Sequence, residues 1–238
     1  MHAQPRARTS ESEQEDLTHF RFLDELAFPD WPNTREKGRK SRRKILRTAI
    51  TIIAENGFHA LTMRKLAAES GMLFGSLTHH YPTQDDLLSE LLETIFRTFG
   101  QQIESVSHNV QLPPSARLVE LCRVAFVGVQ DRLTIRIFLQ LWSLANFDPL
   151  VRAKLDELYN LAIGQMTVIV SAMRPDLPPS KQRTLALFVN SVIEGMMPPA
   201  GFDRTFSRAL PDMQYLAIKS LVPLIETISA EELRGLDR

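Results

Sequence analysis

Residues 62–81, TMRKLAAESGMLFGSLTHHY, constrain this chain more than any other stretch. Met63, Leu66 and Ala67 recur at i, i+3 and i+4, the spacing that lays one apolar stripe along a helix. Thr62 stands before them as an N-cap, a residue whose hydroxyl accepts an otherwise unpaired N–H of the first turn. Ser70-Gly71 breaks the pattern, and Gly71 can take the left-handed backbone that a sharp turn needs. A second short segment over residues 73–80 follows at once. Two short helices joined by a glycine-containing turn make a helix-turn-helix, a layout in which the second helix can enter the major groove of DNA. Helical hairpins without that role are also common, so the flanks must decide.

The flanks are basic. Arg35, Lys37, Arg39, Lys40, Arg42, Arg43, Lys44 and Arg47 lie just upstream, and Arg64 and Lys65 open the first helix of the hairpin. Glu36, Glu55 and Glu69 are the few acids among them. Dense cations beside a groove-sized helix are the electrostatic footprint of phosphate binding. The chain as a whole has a formal net charge of zero, which hides this asymmetry, because the first thirty residues and the C-terminal part lean acidic. The local charge speaks to nucleic acid where the overall balance does not.

These residues carry a resemblance. Residues 45–92 are similar to the N-terminal domain of the TetR family of transcriptional regulators. The shared features, in order, are an amphipathic first helix (Ile45, Leu46, Ala49, Ile52, Ile53), Glu55-Asn56-Gly57-Phe58, Thr62, Leu66-Ala67, Gly71, Gly75, Leu77, His80-Tyr81-Pro82 and Asp86-Leu87-Leu88. The resemblance implies an all-α fold: a three-helix DNA-binding head over residues 35–83, and a helical ligand-binding and dimerisation body over 84–238. It implies a repressor released from a palindromic operator when a small molecule binds the body, although repressor and activator are not distinguished by sequence. Three positions depart from the family pattern. Thr78 stands where a Tyr commonly touches the DNA backbone, and Gln84 where a Lys commonly reaches a phosphate. Leu73-Phe74 opens the recognition helix where small or polar residues are usual. Leu73 or Phe74 can meet a thymine methyl or pack inward.

The expected DNA contacts follow. Arg42, Arg43 and Lys65 hold phosphates. Phe74, Gly75, Ser76 and His79 face bases, and Thr62, Thr78, His80 and Gln84 lie at the backbone. Gly75 permits close approach to the duplex.

The remaining chain is long enough for a sizeable core. Residues 1–34 exceed what the family usually carries ahead of its first helix. Residues 1–16 are polar and expected to be disordered. Leu17, Phe20, Leu23 and Leu26 form a short amphipathic stretch that docks on the body or stays a loose arm. The first helix is expected over 41–56. A capping box at Thr83 and Asp86 starts a fourth helix, whose apolar face links head and body. Later helices are expected over 115–131, 134–146, 149–173, 180–197 and 211–228, with Pro198-Pro199 ending one and Pro223 kinking or shortening the last. The final two carry apolar faces, Leu185, Phe188, Val189, Val192, Ile193 and Met196 on one and Leu216, Ile218, Leu221, Val222 and Ile225 on the other. Resemblance assigns them to a homodimer interface, the alternative being that both faces only cover the monomer core; a two-fold dimer reads two half-sites where one short helix reads too few bases.

Phe126, Phe138, Trp142, Tyr159, Met166, Phe188 and Asn190 are the candidate lining of a ligand pocket, with Phe147, Met197, His108, Arg136 and Glu194 as further options; each is also ordinary core or surface chemistry. No catalytic residue, cofactor or metal is expected. His79 and His80 are adjacent and diverge on a helix, and no nucleophile elbow, HExxH or Gly-rich phosphate loop occurs. An enzyme, or a helical ligand-binding or adaptor protein that has lost DNA binding, is the competing class. The one cysteine, Cys122, among Leu118, Leu121 and Ala125, suits a packed apolar role and a reducing cytoplasm. There is no signal-peptide core and no run of membrane-spanning length.

Overall fold

The computed structural model describes Leu23 and residues 25–234, and these form helices and connecting turns with no strand among them. Helix α1 (Glu36–Asn56) starts five residues before the expected position. The basic run is therefore wound onto a helix, with Arg39 and Glu36 paired at 3.5 Å one turn apart. Winding distributes the cations around the axis, so neighbours in sequence face different surroundings. The helix stops at Gly57, whose φ of 87° lies in the left-handed region that favours glycine.

A 3-10 turn (Phe58–Ala60) leads to α2 (Met63–Glu69) and α3 (Phe74–His80). The Thr62 hydroxyl accepts the Lys65 N–H at 3.2 Å, and Gly71 has φ 63° in the turn. Ile45, Leu46, Ala49, Ile53, Leu66 and Leu77 are sealed from solvent between these three helices, each large one contributing about 1.5–3 kcal/mol of burial. Helix α4 (Gln84–Ser107) opens with the expected capping box: the Thr83 hydroxyl accepts the Asp86 N–H, and the Asp86 carboxylate accepts the Thr83 N–H, both at 3.1 Å. Its Leu87 and Leu91 complete the head; farther along it packs against α5 (Pro114–Gln130) and α7 (Pro149–Met173). At Gly100 a Cβ would come within 2.9 Å of Leu161 Cδ2, which shows how closely α4 and α7 approach.

Helix α6 (Arg132–Leu144) begins two residues before the expected position because Asp131 caps it, accepting the Thr134 N–H at 2.7 Å and its hydroxyl at 2.8 Å. Helix α8 (Pro179–Glu194) stops at Gly195, three residues short of expectation. Pro198 and Pro199 do not end it; they lie in a separate turn, α9 (Met197–Ala200), where early prolines lose no needed N–H. Helix α10 (Leu210–Thr227) continues through Pro223, which sits on its exposed side. A last helix, α11 (Ala230–Arg234), was not expected. Its signal was present: Ser229 and Glu232 form a capping box, with the Ser229 N–H donating to Glu232 at 2.8 Å.

Of the N-terminal stretch, residues 1–16, Leu17 and Phe20 lie outside the described residues. Residues 25–34 are docked. Leu26 and Trp31 join the core, the Ala27 N–H donates to Thr98 Oγ1 at 3.0 Å, and the Trp31 indole donates to Glu90 Oε1 at 2.8 Å.

The apolar faces assigned to a dimer divide differently from the sequence expectation. Leu185, Val189, Ile193, Met196, Leu221 and Ile225 are buried in this chain's own core, Val192, Ile218 and Val222 are half-buried, and Phe188 and Leu216 are exposed. The outward sides of α8 and α10 carry Leu187, Phe188, Tyr215, Leu216 and Leu224.

Candidate functional site

Helix α3 is anchored by one residue and presents the rest. Leu77 is fully buried, while Leu73, Phe74, Gly75, Ser76 and His79 face solvent. Leu73 is 80% and Phe74 49% exposed, so both point outward. A Cβ built on Gly75 meets nothing within 4 Å, so the fold itself does not demand glycine there. Thr78 is half-buried, its hydroxyl donating to the Phe74 and Gly75 carbonyls at 3.2 Å.

Cations flank this face. Arg43, Lys44, Arg47 and Arg64 are exposed. The guanidinium carbons of Arg43 and Arg47 lie 5.7 and 5.9 Å from the Phe28 ring, within cation–π range. Lys44 reaches toward the α2–α3 turn, its ammonium 3.8 Å from where a Gly71 Cβ would stand. Lys65 is half-buried, donating to Asn56 at 2.9 Å and lying 3.6 Å from Glu69. Thr62 is exposed at the start of α2. The Gln84 side-chain amide donates to the Leu61 carbonyl at 3.2 Å, tying α4 to the segment before α2.

Arg42 is placed differently from its neighbour. Its guanidinium donates to Glu90 at 2.6 Å and to the His80 carbonyl at 3.2 Å, and lies 5.0 Å from the Tyr81 ring and 6.0 Å from Trp31. Glu90 also accepts the Tyr81 hydroxyl at 2.8 Å. One carboxylate on α4 thus gathers Trp31, Arg42 and Tyr81, locking the N-terminal segment, α1 and the end of α3 together. Burial and the Glu90 charge push the Tyr81 phenol well above its ordinary value. His80 is half-buried, and burial, Arg42 and His79 hold its imidazole below the ordinary value. Trp31 and Glu90 were not expected at this site from sequence.

A cavity of about 450 Å³ lies in the body. Of the sequence candidates, Phe138, Tyr159 and Asn190 line it, as do Glu194 and Met197. Phe126 and Met166 are buried outside its wall. Trp142 stands one step behind, its indole donating to the Tyr159 hydroxyl at 2.6 Å. Phe188 and Phe147 are exposed. His108 bonds Ser107, and Arg136 points to α1; neither lines the cavity. Phe99, Ile103, Leu158 and Ile193 complete most of its apolar wall. The Tyr159 hydroxyl donates to Glu194 at 3.0 Å. Burial raises the Glu194 carboxyl to about 7, against the partial relief of bonds from Tyr159 and Asn190; burial and Glu194 together raise the Tyr159 phenol.

Head and body meet through α6 as well as α4. Helix ends leave carbonyls unpaired, and at the end of α1 the body supplies partners. Arg136 donates to the Ala54 carbonyl at 3.2 Å. Gln140 accepts the Phe58 N–H at 2.8 Å and donates to the Ile53 carbonyl at 3.5 Å. Phe138 and Thr134, on the same helix, line the cavity. Among the described residues no group of three His, Cys, Asp or Glu side chains is placed to hold a metal ion, and no helix is long and apolar enough to cross a membrane.

Residues 45–91 match the family model described as bacterial regulatory proteins, tetR family. The HTH-type transcriptional repressor KstR2 of Mycolicibacterium smegmatis is 27% identical over 156 residues, 61% of this chain and 74% of the relative. The HTH-type transcriptional repressor AcnR of Corynebacterium glutamicum is 26% identical over 169 residues, 68% of this chain and 82% of the relative. Among solved structures, a TetR transcription regulator from Haloarcula marismortui aligns over 79% of this chain and 97% of its own, with a TM-score of 0.63 and 17% identity, a likeness of fold. With the helix-turn-helix, its capped helices and the helical body in place, residues 45–91 are a TetR-family N-terminal domain on a TetR-type all-helical fold, and these likenesses support a TetR-family transcriptional regulator.

Proposed function

We propose that this regulator is a cytoplasmic repressor that binds a palindromic DNA operator as a homodimer and releases it when a small molecule enters the body cavity. The head comprises residues 35–83 and the body 84–238, with residues 25–34 braced across both. The observation that carries the reading is the outward face of α3. Leu73, Phe74, Gly75, Ser76 and His79 stand exposed above a single buried anchor, and an open glycine lies where a duplex would come closest. In the major groove, Ser76 and His79 offer hydrogen bonds to base edges and Phe74 an apolar contact to a thymine methyl. Arg43, with Lys44 and Arg64 beside it, meets phosphates. Thr62, Thr78, His80, Gln84 and Lys65 border the backbone, and Arg42 serves as an internal brace.

The twin docks on the exposed Leu187, Phe188, Tyr215, Leu216 and Leu224 of α8 and α10, setting two α3 helices about 34–36 Å apart, one turn of DNA. Ligand in the cavity presses α6 and α4, which hold the two ends of the head. A differential affinity of about 1–3 kcal/mol between the DNA-bound and released geometries weakens operator binding about 5- to 150-fold. Repressor names among the relatives support the direction of regulation.

The test is to select genomic fragments with the purified chain and sequence them. Inverted repeats about one helical turn apart, bound with a steep salt dependence, are expected. A solitary chain in solution that ignores duplex DNA at low salt would overturn the reading.

A further inference from the structure

The cavity wall has a one-sided chemistry. Its ionisable side chains are Glu25 from the N-terminal segment, Asp131 at the α5–α6 junction, Tyr159 on α7 and Glu194 on α8; no Lys, Arg or His lines it among the described residues. The remainder is largely apolar and aromatic, with Phe99 and Phe138 set edge to face at 5.2 Å between ring centroids. Asp131 is engaged in capping α6. Glu194 accepts the Tyr159 hydroxyl, and a carboxylate has roughly four acceptor directions, so donors from Tyr159 and Asn190 leave it able to accept a ligand N–H or to face a quaternary nitrogen. An anionic ligand would enter a partly desolvated space facing carboxylates, with no Lys, Arg or His among the described lining residues to meet it. A cation gains a countercharge and aromatic faces.

Resting on the reading of this cavity as the inducer site, we propose that it takes a lipophilic organic cation, an ammonium or quaternary amine on an apolar body. The charge sits against Glu194 and the apolar body lies between Phe99, Phe138 and Ile103. The raised Glu194 carboxyl fits this role: it is easily neutralised while the cavity is empty, and a bound cation draws it to the charged form.

The experiment titrates the full chain by calorimetry with octyltrimethylammonium, octan-1-ol and octanoate, one apolar tail with a positive, neutral or negative head. At pH 8 the cation is expected to bind at least tenfold tighter than either counterpart. Glu194→Gln should weaken the cation tenfold or more and leave octanol unchanged. In the unmodified chain the cation's affinity should rise about tenfold from pH 6 to pH 8, as a carboxyl titrating at about 7 ionises, and octanol's should stay level. Octanoate binding as tightly as the cation, or a cation affinity flat with pH, would overturn the proposal. Duplex binding by the unliganded chain is measured alongside. If it persists while the cation fails, only the ligand class falls; if it is absent while the cation binds, the regulator reading falls instead.

Discussion

Glu90 is the residue whose loss should be felt most widely. It accepts from the Trp31 indole, the Tyr81 hydroxyl and the Arg42 guanidinium. The Arg42 and Glu90 side chains are 22% and 16% exposed, so the pair lies between the surface case, worth under about 1 kcal/mol, and the buried case, where removing one partner costs about 3–5 kcal/mol. Glu90→Ala strands a mostly buried cation and two donors, and we expect a loss of about 3 kcal/mol. Glu90→Gln keeps an acceptor oxygen and should lose about half as much. Arg42→Ala should cost about 2–3 kcal/mol, and the Arg42→Ala/Glu90→Ala double variant should fall short of the summed losses by at least about 1 kcal/mol, because the second deletion removes no remaining pair. Urea unfolding followed by tryptophan fluorescence and helicity measures all of these. Glu90→Ala within about 0.5 kcal/mol of the parent, or strictly additive variants, would refute the brace. A second arm separates Arg42 from its neighbour on DNA. Losses of this size leave a typical domain folded, so salt dependence remains measurable. Arg43→Ala should flatten the slope by about one, and Arg42→Ala should leave it unchanged.

Three further outcomes are expected. Gly75→Ala should hold or raise stability by up to about 1 kcal/mol, since the added methyl finds open space in a helix, yet weaken operator binding at least tenfold; unaltered binding in a gel-shift titration would remove α3 from the groove. Glu194 titrates at about 7 in the fold against an ordinary 4.5, so its contribution is present below pH 4.5 and lost as pH rises through 7. The thermal midpoint of the unliganded chain should therefore fall between pH 5 and 8 relative to Glu194→Gln, whereas His80, held below its ordinary 6.5, removes stability as pH drops under that value. Gln140→Ala strands the Phe58 N–H and should cost about 1–3 kcal/mol while shrinking the ligand's effect on DNA affinity; an undiminished effect would take α6 out of the coupling.

The head was legible because its determinants are local. Thr62, Gly71 and the Thr83–Asp86 box act within one turn of chain, and all three perform the geometry their spacing implies. What sequence could not assign was direction. Arg42 and Arg43 are adjacent cations, but residues one apart on a helix point roughly 100° away from each other. Which of them turns inward depends on Glu90, nearly fifty positions later, and on a tryptophan in a segment for which docking and a loose arm were both open. The apolar faces of α8 and α10 posed a related problem. Periodicity found mostly the stripe that covers the chain's own core; of its members only Phe188 and Leu216 face out, and the neighbouring exposed Leu187 and Leu224 lie off its spacing. The pocket candidates were chosen for size and aromaticity, which buried Phe126 and lining Phe138 share. Only the packing of α4, α5, α7 and α8 tells them apart.

That packing also bears on how a signal crosses the molecule. The long apolar face of the fourth helix pointed to α4 as the link, and α4 does run from the head to the cavity, with Leu87 in one and Phe99 in the other. Yet a single helix joined at both ends can tilt without telling the head which way to turn. The contacts from α6 supply a second point of support. Arg136 and Gln140 hold the carbonyl end of α1 from one face of a helix whose other residues, Thr134 and Phe138, form cavity wall. Glu90, on α4, holds α1 nearer its start through Arg42. With α1 gripped at two places by two helices that both touch the cavity, a ligand that spreads α4 from α6 applies a torque to the head rather than a shift. In the proposed dimer, rotation is the motion to which paired recognition helices are most sensitive, because their separation must match one turn of DNA. The joints are side-chain hydrogen bonds to α1 carbonyls and one Arg–Glu ion pair, short contacts that weaken steeply as their geometry is lost.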